Sequence, residues 1–106
     1  LVLNDNAISD ISGIEKAEKL TDLNLANNKI TDITAVGKLT SLKTLDLSGN
    51  ADLEKLDAIN EFPTTTSLDL KIVGTKAAKD TEAIEKLQTK YSTMKITYVE
   101  KEDEKK

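Results

Sequence analysis

One six-residue pattern recurs three times along this chain at a constant spacing of 22 residues. Each copy reads Leu-x-Leu-x-x-Asn, and the copies begin at Leu1, Leu23 and Leu45. A unit this short cannot bury its apolar side chains alone, so neighbouring units must stack on one another. The spacing therefore predicts a solenoid, in which the core lies between consecutive units rather than at a single centre.

The paired leucines of each unit indicate a strand, because side chains alternate between the two faces of a strand. In the middle unit Leu23 and Leu25 point inward, and the apolar residues from Ile30 to Leu42 follow at intervals of two or three, as in an irregular arc. This combination is typical of leucine-rich repeats. The predicted fold class is α/β: a right-handed leucine-rich-repeat solenoid with a parallel sheet on the concave face and irregular or 3-10 arcs on the convex face.

The third unit is less regular than the first two. Its apolar positions match those of the middle unit after one inserted residue near position 51 or 52. A fourth strand is then predicted from Leu68 to Leu70, with Val73 at the position that the asparagine holds in the other units. The repeat pattern is expected to end there.

The residues after the fourth strand predict a different kind of structure. Residues 80–91 show helical periodicity, and the apolar residues at 94, 96 and 98 alternate as in a strand. Such a helix and strand suit a C-terminal cap that covers the last apolar layer. We therefore divide the chain into repeats (1–73), a C-terminal cap (74–99) and a charged, disordered tail (100–106).

The recurring asparagines have a structural explanation. Where each strand turns into its arc, backbone groups lose their ladder partners, and an inward amide can both donate to and accept from them. Asn6, Asn28 and Asn50 are therefore predicted to form an asparagine ladder. Asp10 and Asp32 recur in the phrase Ile-x-Asp-Ile and are expected to cap the convex turns locally.

Composition excludes several classes of function. The chain contains no Cys and no His, so it lacks a thiol nucleophile, an imidazole base and a Cys/His zinc site. All 15 basic residues are Lys and the net charge is -4, which does not match the basic stripe of a nucleic-acid-binding protein. Because no apolar run approaches the length of a membrane span, insertion into a membrane is not expected. We predict a protein that is not an enzyme and has no cofactor.

The concave face of the sheet is the surface that a solenoid repeats most regularly, so we expect a protein partner to bind there. Strand alignment predicts a central column of Val2, Asn24, Asp46 and Asp69. The flanking columns are predicted as Asp22, Thr44 and Ser67 on one side and Asn4, Ala26, Ser48 and Lys71 on the other. The predicted protein-binding residues are Asp22, Asn24, Thr44, Asp46, Ser48, Ser67, Asp69 and Lys71.

Other chemistry for this surface is less well supported. The carboxylates of Asp22, Asp46 and Asp69 could contribute to a calcium site, but a flat sheet face rarely supplies the six to eight oxygen ligands that calcium takes. Lys43 and Lys71 lie near enough in sequence to neutralise them. An open sheet also lacks the concave pocket that an acid and base pair would need. No metal site and no catalytic residue is predicted.

Two segments resemble a known group of repeats. The segments Asn-Asn-Lys-Ile-Thr-Asp-Ile-Thr at 27–34 and Leu-Thr-Ser-Leu-Lys-Thr-Leu-Asp-Leu-Ser-Gly-Asn at 39–50 resemble internalin-type proteins of Gram-positive bacteria, and the resemblance covers about residues 1–70. Threonine-rich arcs, Lys without Arg and the absence of Cys favour this group. The resemblance implies an exported or wall-associated protein whose concave sheet binds another protein.

Two alternatives remain open. Intracellular repeats of the phosphatase-regulator type have the same length and imply a scaffold or regulatory subunit. A structural spacer is the other alternative, because the first apolar layer, with Leu1, Leu3, Ile8 and Ile11, lies at an uncapped end and favours self-association. A signal peptide or wall anchor elsewhere in the gene would distinguish a surface protein from an intracellular one.

Overall fold

Four short strands form one parallel sheet. The computed structural model describes residues 3–62 and 67–98. In chain order the strands pair as β1-β2-β3-β4, and every neighbouring pair is parallel. Their bounds are Asp22–Asn24 (β1), Thr44–Asp46 (β2), Asp69–Lys71 (β3) and Lys95–Thr97 (β4). Consecutive parallel strands side by side are the arrangement of a solenoid, so the predicted fold class is confirmed.

Short 3-10 helices form the opposite side of each turn. A 3-10 helix suits such a brief return because it advances the chain with only three residues per turn. The second and third of these helices pack closely because Gly37 has no side chain: a Cβ atom there would lie 2.9 Å from the Ala58 carbonyl oxygen. Within residues 3–62 and 67–98, the 3-10 helices are Ile14–Lys16, Thr34–Lys38, Asp57–Glu61 and Ala77–Lys79.

The core lies between the sheet and the 3-10 helices and continues from one turn to the next. In the middle unit Leu25, Ile30, Val36 and Leu39 are all fully buried. Four apolar residues of the first unit that pack against this core are only partly buried. They are Leu3, Ile8, Ile14 and Leu20. The first apolar layer is therefore less completely buried than the second.

One α-helix, α1, spans Thr81–Lys90 and begins one residue after the predicted start. The Asp80 carboxylate accepts a hydrogen bond from the backbone N–H of Ala83 at 3.1 Å, as an N-cap does. Ile84 and Leu87 are buried on the side that faces the solenoid. The helix leads into β4, which pairs with β3, so the prediction of a helix-strand cap is also confirmed.

Tyr91 joins the cap to the third turn. Its side chain is fully buried, and its hydroxyl group lies 2.8 Å from the Ile59 carbonyl oxygen and 2.7 Å from that of Phe62. A phenol carries one proton, so the two carbonyl groups share one donor. The contact adds a donor at the end of the third 3-10 helix, where the Ile59 carbonyl oxygen also accepts from the Phe62 N–H at 3.1 Å.

The register of β3 differs from the prediction. Leu45 pairs with Leu70 and Asp46 with Lys71, so the offset from β2 to β3 is 25 residues, compared with 22 from β1 to β2. The single inserted residue near position 51 or 52 agrees with the structure up to Phe62, but the predicted alignment of the fourth strand is wrong. One extra residue precedes Leu53, and two more lie between Phe62 and β3.

This register extends the repeat by a further turn. Thr75, rather than Val73 as predicted, occupies the position of Asn50. Thr75 is buried, its hydroxyl donates to the Ile72 carbonyl oxygen at 2.7 Å, and it accepts from the Ala78 N–H at 3.1 Å. The hydroxyl thus replaces part of the asparagine's bonding within its own turn.

A left-handed residue precedes the ladder position in every turn. These residues have positive φ angles between 59° and 81°: Asp5, Asn27, Gly49 and Gly74. Asn and Asp tolerate this conformation and Gly adopts it without steric cost. The backbone of the turn after β3 therefore follows the repeat beyond residue 73, and the division into 1–73 and 74–99 stays a prediction. Leu1, Val2 and the predicted tail 100–106 lie outside the described residues.

Candidate protein-binding surface

The strands present two columns of side chains on the outer face of the sheet, because the first and third residues of each three-residue strand point away from the core. The first column contains Asp22, Thr44, Asp69 and Lys95. The second column contains Asn24, Asp46, Lys71 and Thr97. Lys95 and Thr97, which the sequence analysis did not assign to this surface, complete the columns at β4.

This arrangement corrects the predicted columns. Asp69 lies in the first column beside Thr44, not in the column of Asp46, and Lys71 takes the place beside Asp46. Ser67 is exposed but lies two residues before β3, so it belongs to neither column. The error follows from the 25-residue offset, which moves every residue of β3 by two positions and so keeps it on the same face.

A shallow depression of about 270 Å³ lies in the middle of the two columns. It is lined by Asp22, Leu23, Asn24, Thr44, Leu45, Asp46, Asp69 and Lys71. Three carboxylates and one ammonium group therefore face the same small volume. Most of the predicted protein-binding residues, apart from Ser48 and Ser67, meet here.

Local hydrogen bonds hold the second column in place. The Asn24 Oδ1 atom accepts from the backbone N–H of Ala26, and Asp46 Oδ1 accepts from that of Ser48, each at 3.0 Å. These are the side-chain to backbone bonds that Asn and Asp form two residues ahead. In the next strand, where Lys71 has no acceptor to offer, the Val73 N–H donates instead to the Ser48 hydroxyl at 3.2 Å.

The first column is arranged differently. The Thr44 hydroxyl donates to the Asp22 carboxylate across the β1–β2 ladder. One carboxylate oxygen of Asp69, Oδ1, is buried and has no hydrogen-bond partner among the described residues. An unsatisfied buried acceptor costs free energy. Asp69 Oδ1 is therefore the buried side-chain oxygen of this surface that no hydrogen bond satisfies within the described residues.

The predicted flanking column offers little binding surface. Ala26 is buried and Ser48 is half-buried. The amide nitrogen of Asn4 donates to the Asp5 carboxylate at 2.7 Å. The exposed polar character of the sheet therefore comes from the two strand columns.

The ladder residue Asn50 lies beneath this surface and is fully buried. Its Oδ1 atom accepts from the Ile30 N–H at 3.0 Å, and its Nδ2 group donates to the carbonyl oxygens of Leu25 and Leu47 at 3.0 and 2.8 Å. One side chain therefore satisfies backbone groups of two successive turns, which fixes the spacing of the strands that carry the columns.

The other two ladder positions differ in burial. Asn28 is buried and repeats the bonding of Asn50 one turn earlier: Oδ1 accepts from the Ile8 N–H, and Nδ2 donates to the Leu3 carbonyl oxygen, both at 3.0 Å. Asn6 is exposed and bonds within its own turn, donating to the Leu3 carbonyl oxygen at 2.9 Å.

On the convex side, two aspartates close the turns that lead into the 3-10 helices. Asp10 accepts from the Ser12 backbone N–H at 2.8 Å, and this bond, with a weaker contribution from the Ser12 side chain, lowers the pKa of Asp10. Hydrogen bonds from the Thr34 hydroxyl and then from the Thr34 N–H lower the pKa of Asp32. Each carboxylate therefore accepts hydrogen bonds from the turn in which it lies.

Within the described ranges, the side chains form no metal-binding cluster and the helices include no membrane span. No group of three or more His, Cys, Asp or Glu side chains there is placed to hold a metal ion. No helix in residues 3–62 and 67–98 has the length and apolar character needed to cross a bilayer.

Comparison with known families identifies the repeats. A family model described as Leucine Rich repeats (2 copies) matches residues 1–37 and again residues 18–61, which together cover more than half of the chain. A search of curated protein sequences finds no match. The matched residues include the first three Leu-x-Leu-x-x-Asn patterns and the strands β1 and β2. The chain therefore belongs to the leucine-rich repeat family.

Proposed function

We propose that this chain is a non-catalytic protein-binding module that uses the outer face of its sheet. Repeats of this family generally mediate protein–protein interaction, and solenoids of this kind bind across the surface that they repeat most regularly. The observation that carries the proposal is the pair of in-register columns. They place polar side chains of four strands, some exposed and some half-buried, on one face of the sheet.

The wider context of the proposal is a bacterial surface or secreted protein of the internalin type. It is supported by the resemblance of residues 27–34 and 39–50 to internalin repeats, by Lys without Arg and by the absence of Cys. Fractionation of the source cells with an antibody to this segment tests it: detection in the wall or medium supports it, and detection in the cytoplasm alone contradicts it.

The binding proposal is tested by affinity capture with a charge-matched pair of variants. The first variant carries Asn24→Lys, Asp46→Lys and Asp69→Lys on the sheet. The control variant, with the same change in net charge on exposed residues away from the sheet, carries Glu18→Lys, Thr40→Lys and Glu85→Lys.

Wall extract, culture supernatant and host-cell lysate serve as sources of partners, with circular dichroism to confirm that both variants fold. A protein captured by the wild type and by the control, but lost with the sheet variant, supports binding through the sheet. Equal capture by all three proteins, or no capture by any, contradicts it.

A structural role in assembly is a second candidate, favoured by the partly buried first layer. Leu3, Ile8, Ile14 and Leu20 are partly exposed where their counterparts in the next turn are buried. Such an apolar layer favours contact with another copy of the chain. Sedimentation over a range of concentrations, with Ile8→Glu as the variant, tests this role: an oligomer that dissociates in the variant supports it, and a monomer at all concentrations contradicts it.

A further inference from the structure

We infer that the outer face of the sheet is self-complementary and docks on the same face of a second copy of this chain. The two copies are related by a two-fold axis that runs parallel to the strands, between β2 and β3. The inference goes beyond the proposed function, because it assigns to this face an occupant that would compete with any other partner. It depends on the register of the four strands and on the charges that they carry.

The charges of this face are unevenly divided between its two halves. The half formed by β1 and β2 carries the carboxylates of Asp22 and Asp46, and the half formed by β3 and β4 carries Lys71 and Lys95 together with Asp69. Both lysines are exposed, and neither forms an ion pair within residues 3–62 and 67–98. Their charges are therefore available to groups that approach the sheet from outside.

A two-fold axis parallel to the strands turns one sheet over and reverses the order of its strands. β1 then lies opposite β4 of the second copy and β2 lies opposite β3, while each column of side chains still faces the same column. Every facing pair occurs twice, as in any isologous contact. No pair brings two like charges face to face. The facing pairs are Asp22 with Lys95, Asp46 with Lys71, Thr44 with Asp69, and Asn24 with Thr97.

The lengths of the facing side chains suit two stacked sheets, which lie about 10 Å apart. Each of the two kinds of ion pair combines a long lysine with a short aspartate, so the two side chains together extend across this distance. Asp22 and Asp46 accept hydrogen bonds within the chain, but a carboxylate has about four acceptor sites, so each can also accept from an ammonium group. The flexible lysine stems can follow the angle of about 30° at which twisted sheets cross.

The other face-to-face arrangement has fewer ion pairs. A two-fold axis in the plane of contact but perpendicular to the strands places each strand opposite itself, so the first column faces the second. Lys71 then meets Asp69, whereas Lys95 meets the uncharged Thr97 and Asp46 meets the uncharged Thr44. One kind of ion pair remains instead of two. Since complementary charges determine the orientation of a contact, the pattern favours the axis parallel to the strands.

The test follows self-association of the full chain by NMR. Amide shifts and translational diffusion are recorded from dilute to concentrated protein, at low and at high salt. Four strands of three residues make a contact smaller than a standard interface, so the association should be weak. We expect saturable shifts centred on the four strands, which decrease at high salt because salt screens exposed charges. Ile8→Glu, in the first apolar layer, should leave these shifts unchanged.

A pair of compensating changes identifies the facing residues. Asp22→Lys alone and Lys95→Glu alone each place like charges opposite one another and should abolish the shifts. The double variant with both changes restores an ion pair of reversed sign, so the shifts should return. β1 and β4 are about 14 Å apart within one chain, too far for direct compensation there. The matched control, Asp22→Lys with Lys71→Glu, has the same net charge but leaves like charges opposed, and should stay monomeric.

Asp69→Asn distinguishes the two arrangements. In the inferred arrangement Asp69 faces Thr44 and lies diagonal to carboxylates of the second copy, so loss of its charge should strengthen association. In the alternative it faces Lys71, and the same change should weaken association. The amide spectra show directly whether each variant is folded.

Four results would overturn the inference: wild-type shifts that do not depend on concentration, no recovery in the compensating double variant, weaker association in Asp69→Asn, or loss of the shifts in Ile8→Glu. Its failure is distinguishable from failure of the proposed function. A partner captured through the sheet of a chain that stays monomeric would overturn this inference alone. Self-association as expected, with no partner captured from any source, would support the inference and contradict the proposed function.

Discussion

Replacement of Asn50 by alanine should destabilise the protein far more than the same change at Asn6. Removal of the Asn50 amide leaves the Ile30 N–H without its acceptor. It leaves the Leu47 carbonyl oxygen with only a long contact of 3.4 Å to the backbone N–H of residue 50. The Leu25 carbonyl oxygen keeps a second donor, the Asn28 amide at 2.9 Å.

The expected magnitude follows from these partners. Each buried group left unsatisfied costs about 1–3 kcal/mol, so two such groups give a loss of roughly 2–6 kcal/mol in the free energy of unfolding. Small domains have a total stability of only about 5–15 kcal/mol. Asn50→Ala should therefore remove a large share of the stability, whereas Asn6→Ala, at an exposed site where water replaces the amide, should cost less than about 1 kcal/mol.

Urea unfolding followed by far-ultraviolet circular dichroism measures the difference. The two variants lose the same atoms, so the comparison isolates the effect of burial and bonding. The m-value should stay unchanged, which indicates that the same surface is exposed on unfolding. Equal losses at positions 50 and 6, or a loss below about 1 kcal/mol at Asn50, would refute the view that the ladder couples successive turns.

Three further predictions concern the cap, a turn and the convex side. Tyr91→Phe should lower the free energy of unfolding by about 1–3 kcal/mol, since the Phe62 carbonyl loses the hydroxyl donor and the Ile59 carbonyl keeps only the Phe62 N–H at 3.1 Å; an unchanged urea midpoint would contradict this. Gly49→Ala should lower the thermal stability of the protein more than Gly74→Ala. Both glycines have positive φ, but only at Gly49 would the new Cβ atom collide with an oxygen of another residue, that of the Asn27 side chain. Equal losses of thermal stability would contradict the steric argument. Hydrogen bonds in the fold lower the pKa of Asp32. The contribution of its carboxylate to stability is therefore present when the pH is above the pKa of the unfolded state, and it is lost as the pH falls through the pKa of the folded state. The stability difference between wild type and Asp32→Ala should thus shrink below roughly pH 4, and a difference that persists at pH 2 would show that the carboxylate charge is not its source.

The strand pattern predicted the solenoid because its signal is strictly periodic. In the first two strands the alternation of Leu23, Asn24 and Leu25 decides which side chains are buried, and the structure places them accordingly. The asparagine at the end of each pattern forms side-chain hydrogen bonds to backbone groups in each turn, so its position could be inferred from the sequence. The helix of the cap followed from its own periodicity over residues 80–91, and the structure adds Asp80 as its N-cap.

The register of β3 could not be obtained in the same way. Leu68 and Leu70 both precede a polar residue and both are buried, so the pattern permits two alignments that differ by two residues. Both alignments leave the same side chains on the outer face. A shift of one residue would instead move the apolar side chains out of the core, and it is this cost that normally identifies the correct register. The discriminating signal was present further on, in Gly74 and Thr75, which repeat the order of Gly49 and Asn50.

That two-residue difference changes what the sheet offers to a partner. In the predicted alignment Asp46 and Asp69 would continue one acidic column, with Lys71 at its margin. In the observed register Lys71 lies directly beside Asp46, and Asp69 lies beside Thr44 with Lys95 on its other side. The negative charge is therefore confined between β1 and β3 and followed by positive charge toward β4. A partner that matches this surface needs a basic group near the first three strands and an acidic or neutral group near the cap, so its orientation along the sheet is determined together with its charge.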